Sequence, residues 1–181
     1  ASTLPSGQIE ALDLQWRSAQ DFSLSANLSN LGWKASGGMP SLRGIGGKLD
    51  ADAALWRLTI TPGTWQALAP GVLRDPFTPR VQGELLAYPD EGAWRVETTG
   101  LMLSEPDQYD IELGGGATFL PNDGGVELAI RADVGPAPIV VAKRFWPINT
   151  MPFKAVEWFD DVLFDGRLAH GSVIFHGNLC D

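Results

Sequence analysis

"FSLSANLS", Phe22 to Ser29, is the stretch on which the fold turns. Phe22, Leu24, Ala26 and Leu28 share one parity; Ser23, Ser25, Asn27 and Ser29 share the other. Strict alternation of this kind belongs to a strand with one face buried and one in water. Working outward, the same pattern returns on both sides. Leu12, Leu14 and Trp16 alternate with Asp13, Gln15 and Arg17, and "WRLTITPG" sets Trp56, Leu58 and Ile60 against Arg57, Thr59 and Thr61. Further strands are predicted near Val81–Tyr88, Trp94–Leu103, Tyr109–Phe119 and Val126–Val134, separated by the turn signals "YPDEGA", "SEPDQ" and "LPNDGG". Strands at short intervals with hairpin-like links predict a mainly β fold, an antiparallel meander curved into a groove or folded as a sandwich. No strict residue-level repeat accompanies it.

One helix interrupts the strands, predicted at about 152–164. Pro152 suits a first turn, where its missing N–H costs nothing, and Asn149 or Thr150 suits the cap. Ala155, Trp158, Phe159, Val162 and Leu163 form one apolar face, with Lys154, Glu157 and Asp161 opposite and Gly166 as the stop. The segment "RLAHGSVIFHGNL" then returns to strand. Such a helix is expected to cover an edge or rim of the sheet.

The bulk numbers exclude several classes. With 22 acidic against 13 basic residues the formal charge is −9, so the basic footprint of a nucleic-acid binder is missing. An acidic surface also opposes tight docking on anionic headgroups. No stretch reaches the roughly 20 apolar residues of a membrane-spanning helix. The opening residues lack the order of a signal peptide and read as the middle of a longer protein. Cys180 is the single cysteine, so no internal disulfide is expected.

Catalytic and metal-binding signals are poor. His170 and His176 stand six residues apart on one strand parity, too far to act as neighbouring ligands. "GIGGK", Gly44 to Lys48, lacks the spacing of a phosphate loop, and Leu49 stands where a hydroxyl is needed; it reads as the flexible start of a strand. Asp160 and Asp161 are adjacent on a helix, so their carboxylates diverge. "NLS" at Asn27–Ser29 matches a glycosylation sequon inside a strand, and no nucleophile elbow is present. The expectation is a chain that is not an enzyme and takes no metal and no cofactor.

Apolar area remains. Seven tryptophans and eight phenylalanines are more than one meander and one short helix can easily roof. Either the sheet folds on itself, or part of the face stays open, and a patch beyond roughly 300–600 Å² usually binds something.

The segment "RFWPINTMPFKAVEWFDDVLFDGRLAHGSVIFHGNL", Arg144 to Leu179, resembles a recurring segment of the YhdP branch of the AsmA-like, bridge-like lipid transport proteins of Gram-negative bacteria. An aromatic-proline pair precedes a methionine, a short tryptophan-bearing helix and a glycine-flanked strand. Here these are Trp146-Pro147, Met151, Trp158, Gly166, Gly171 and Gly177-Asn178-Leu179. The order of "GQIEALDLQW", "ANLSNLGWKASGGMPSLRGIGGKLDA" and "RDPFTPRVQGEL" resembles the family as well. Phe164 and Val162 depart from its more polar helix end.

The resemblance implies a periplasmic segment, residues 1–181, of a long protein anchored in the inner membrane. It implies an apolar, taco-like β-groove conducting phospholipid between the membranes and supporting the outer-membrane permeability barrier. Partners implied are phospholipid acyl chains, neighbouring β segments of the same protein and other envelope proteins. The lining is then the apolar parity of the predicted strands: Leu12, Leu14, Trp16, Phe22, Leu24, Leu28, Trp56, Leu58, Ile60, Val126, Leu128, Ile130, Val173 and Phe175, with Trp158 and Phe159 on a rim helix. Two other readings are a structural spacer or protein-docking domain with a closed core, and a carbohydrate-binding β sandwich. The last needs aromatics on the polar parity, whereas Trp16 and Trp56 fall on the apolar one.

Overall fold

The structure is a computed structural model and describes residues 5–34, 41–68, 76–120, 125–145, 151–162 and 164–178. Nine strands follow one another across a single antiparallel sheet: β1 (Ser6–Ser18), β2 (Asp21–Trp33), β3 (Ser41–Asp52), β4 (Trp56–Thr64), β6 (Arg80–Asp90), β7 (Ala93–Glu105), β8 (Tyr109–Phe119), β9 (Val126–Val134) and β12 (Gly171–Asn178). A tenth, β5 (Gln66–Leu68), continues the line of β4 and pairs with the start of β3. The sheet is open, neither barrel nor sandwich, with β1 and β12 as its edges.

Because neighbours alternate in direction, the connections sort to two ends. Connections 19–20, 53–55, 91–92 and 120–125 lie at one end, and 34–40, 69–79, 106–108 and 135–170 at the other. In the first group the connections 53–55 and 91–92 are built from tight-turn chemistry. Glu91 and Gly92 both take positive φ, as a two-residue hairpin of the twist-matched type requires. Asp52 accepts the amides of Ala54 and Leu55 at 2.8 and 2.9 Å, which holds its carboxyl below the usual range.

The longest connection carries the helices. β10 (Ala137–Pro138) pairs with β11 (Arg167–Leu168), closing the base of an excursion that holds α1 (Ile139–Ala142), a 3-10 turn (Lys143–Phe145) and α2 (Phe153–Val162). The expected helix is therefore present and shorter than 152–164, and the Pro152 carbonyl opens it by accepting the Ala155 amide at 2.9 Å. The expected cap residues Asn149 and Thr150 lie outside the described residues, as do Trp146, Pro147, Leu179 and Cys180. α1 and the 3-10 turn are additions: each is too short to show a helical period.

Two expectations are corrected. "GIGGK" does not start a strand; Gly44–Lys48 sits inside β3, where glycines let neighbouring backbones approach. A Cβ on Gly47 would stand 2.5 Å from the Thr59 carbonyl oxygen. His170 and His176 do not share a strand, since His170 precedes β12.

The core lies towards the long-connection end. Ile45, Ile60, Trp65, Val81, Leu101, Leu103, Tyr109 and Ile111 of the sheet side pack under Ala137 and Val141. Phe145 seals it, meeting Tyr109 and Phe77 edge to face at 4.8 and 5.8 Å. A line of register shifts runs beside this core from β1 to β8, between Ile9 and Ala11, Leu28 and Leu31, Ile60 and Gly63, Gln82 and Leu86, and Thr98 and Leu101. Bulges bend strands and add twist, so the line is a crease between a covered half and an uncovered half.

Candidate functional site

Residues paired across an antiparallel ladder share a face, so the register fixes which side chains meet. One rung runs Leu14, Leu24, Ala51, Trp56, Ala87, Val96, Ala117, Leu128 and Gly177, from edge to edge without a polar side chain. Next towards the crease come Leu12, Ala26, Leu49, Leu58 and Leu85 and, from β7 to β12 on the same side of the crease, Thr98, Gly115, Ile130 and Phe175. On the other side, at the tight-turn end, Trp16 pairs with Phe22, and Pro89, Trp94, Phe119 and Val126 form a second line.

All fourteen residues singled out from the sequence lie on this one face. Their burial divides them. Leu14 is 50% exposed and Phe175 46%, while Ile60, at the crease, is 3% exposed and belongs to the core. Trp158 of α2 is exposed; the side chain of Phe159 lies outside the described residues. The wall along the covered side is made by Val141 and Phe145, which precede α2. α2 is tied to that wall through Lys143, whose Nζ stands 3.4 Å from Asp160.

The result is an apolar floor with one wall. Its centre is low because small side chains, Ala51, Ala87 and Ala117, alternate with large ones along the rung. The bulge glycines are required there: Gly115 has φ +114, and a Cβ would run into the Ala129 carbonyl. Sequence parity missed Leu49, Leu85, Val96, Trp94 and Phe119 of the same floor. Trp94 and Phe119 open and close predicted strands, so their parity was available.

The opposite face keeps the charge. Lys48 pairs with Asp50 at 2.8 Å, Arg57 with Glu84 at 3.3 Å and Arg131 with Asp133 at 2.7 Å. Lys48, then the Ser25 hydroxyl, hold the Asp50 carboxyl below the usual range, and Arg131 does the same for Asp133. Exposed pairs of this kind add little stability; their effect is to keep that face in water. Among the described residues no group of three or more His, Cys, Asp or Glu is placed to hold a metal ion, and no helix is long and apolar enough to cross a membrane.

The sequence matches one family model over residues 1–181: YhdP, described as YhdP protein. The chain belongs to the YhdP family. The YhdP family is a family of envelope proteins. No curated protein matches the chain, and no solved structure matches it.

Proposed function

We propose that this YhdP-family segment is part of a periplasmic apolar groove that conducts phospholipid between the inner and outer membranes. The observation that carries the reading is the rung from Leu14 to Gly177, apolar across all nine strands and uncovered in the half beyond the crease. Eight inter-strand spacings of about 4.8 Å make it roughly 38 Å long. A leaflet's acyl chains occupy about half of a 30 Å hydrocarbon core, so the rung exceeds two acyl lengths.

Carrying a diacyl lipid through water exposes on the order of 30 methylenes, a cost near 25 kcal/mol at about 0.8 kcal/mol each. A floor of leucine, valine and tryptophan replaces bilayer hydrocarbon with protein hydrocarbon and makes the transfer nearly level. Such contacts need no hydrogen-bonding constellation, and the floor supplies none, because its backbone groups are used in the ladders. The chain acts without a catalytic centre or cofactor, as one length of an inner-membrane-anchored protein that its neighbouring β segments extend.

Native mass spectrometry of gently purified protein tests the proposal. Phospholipid retained by the wild-type chain and lost on Leu128→Asp supports it; protein free of lipid in repeated preparations overturns it. The second outcome favours a structural or docking domain, a reading that the sealed core under Val141 and Phe145 supports.

A further inference from the structure

The charged face is not evenly paired. Lys48, Arg57, Arg95 and Arg131 each hold a carboxylate there, whereas Lys34 and Arg43, at the long-connection end, hold none among the described residues. Both line one cavity of about 380 Å³, with Ser41 and Gln66 beside them and Leu68 and Pro76 as its apolar part. Ladder register brings these residues together. Arg43 pairs with Gln66 and Ser41 with Leu68, while Leu42 and Ala67 between them turn to the core, so the four share the reverse face. Trp33, the ladder partner of Leu42, also packs on the core, which sets Lys34 on the reverse next to Ser41.

Arg43 is steered towards Lys34. A Cβ on Gly32 would stand 3.0 Å from Arg43 Cγ, so the arginine stem lies over β2, the strand that leads into Lys34. The cavity is also a set of donors. Arginine and lysine can only donate, serine and glutamine can donate, and among the described residues no carboxylate lines the space. A cation would find no anionic ligand there. The acids of β3, Asp50 and Asp52, lie seven and nine residues along the strand from Arg43. That is about 23 Å or more, against a screening length of about 10 Å in ordinary salt, so their field is largely spent at the cavity.

We propose that this cavity binds a phosphate group, as the free ion or as a monoester. A phosphate monoester carries about −1.5 to −2 charges at pH 7, which matches two cations, and its oxygens accept several donors at once. A carboxylate carries one charge and leaves one cation unmatched. Arg43 meets two of the oxygens with its planar fork, Lys34 supplies the second charge, and Ser41 and Gln66 donate to what remains. Leu68, 36% exposed, and Pro76 receive the organic part of an ester. The space is near the lower bound of small-molecule sites, about 300 Å³, and suits a small ligand or one headgroup. It lies on the face opposite the apolar floor, so it stands independently of the conduit reading. Two sources carry such a group, soluble phosphate and the headgroup of phosphatidic acid, and the test separates them.

The test is calorimetric titration of the 181-residue chain, in about 0.1 M salt, with inorganic phosphate and separately with dihexanoyl phosphatidic acid below its micelle concentration. Arg43→Gln and Lys34→Gln are each expected to weaken binding about tenfold or more. Arg17→Gln, whose guanidinium pairs with Asp21 at the other end of the sheet, should leave it unchanged. If Arg43→Gln does not melt cooperatively, Lys34→Gln, at an exposed strand end, carries the comparison. Inorganic phosphate that binds and loses affinity in the variants upholds the site and shows that the phosphate group alone suffices. Loss of affinity for phosphatidic acid alone upholds it as a site for the lipid headgroup. If neither probe binds, or neither loses affinity in either variant, the proposal is overturned.

Discussion

Trp56 of β4 and Trp94 of β7 meet edge to face at 6.0 Å although β6 runs between their strands. Ala87 of β6 is the ladder partner of Trp56, and its single methyl leaves the space that the two indoles close above it. The rim of the apolar floor is therefore a built contact between non-neighbouring strands. A double-mutant cycle on Trp56→Ala and Trp94→Ala should give a coupling of about 1 kcal/mol in urea unfolding. Additive losses would show that the two rings merely sit near each other.

Floor and core residues should respond differently to substitution. Ile60→Ala opens a cavity in the packed core and should cost about 2–5 kcal/mol. Leu128→Asp places a carboxylate on the uncovered floor, should cost under about 2 kcal/mol and should abolish lipid retention. Urea midpoints of the two variants check this. A collapse of Leu128→Asp equal to that of Ile60→Ala would mean the floor is sealed in solution.

The crease should depend on its glycines. Gly115→Ala faces both a positive φ and the Ala129 carbonyl, and should cost at least about 2–3 kcal/mol. Gly92→Ala, with φ +86 in a hairpin turn and nothing within 4 Å of the new methyl, should cost only about 1 kcal/mol. Thermal melts of the pair give the comparison. The reverse ranking would remove the steric account of the bulge line.

Tyr109 should make the fold sensitive to alkali. Its ring is 2% exposed, and burial, reinforced by the Glu105 carboxylate, raises the phenol to about 12 from an ordinary value of 10.0. The unfolded chain then releases this proton near pH 10 while the folded chain keeps it. The stability contribution is intact below about pH 10 and is lost as pH rises towards 12, by an amount on the order of 2 kcal/mol. Tyr109→Phe should flatten that slope. At pH 7 it should be neutral or stabilising, because among the described residues the buried hydroxyl has no hydrogen-bond partner. Urea unfolding at pH 7, 9 and 11 measures both effects.

Much of the sheet was legible in parity alone. Tyr109–Phe119 and Val126–Val134 coincide with β8 and β9, and β2 contains the quoted alternation. β3 was legible only as a strand entry at Gly44–Lys48 and not over its full length: where its inward positions need close backbone approach it carries glycine, as at Gly47, and glycine leaves no hydropathy signal. The helix over Phe153–Val162 was legible from its apolar stripe; the wall over the core is made by Val141 and Phe145, which precede it. Four helical residues and one 3-10 turn hold too little periodicity to be read. Their packing on Phe77 and Tyr109 spans dozens of residues of sequence.

By itself the amino-acid order determined an antiparallel sheet with one greasy face, since a side-chain period of two is a local property of the strand. Only the tertiary structure decided how that face is used. Register joined the separate stripes into one rung from β1 to β12, and a chain excursion between β9 and β12 roofed one half of it. Which half was roofed depended on where the long connections emerged, and that follows from the direction of every strand before them.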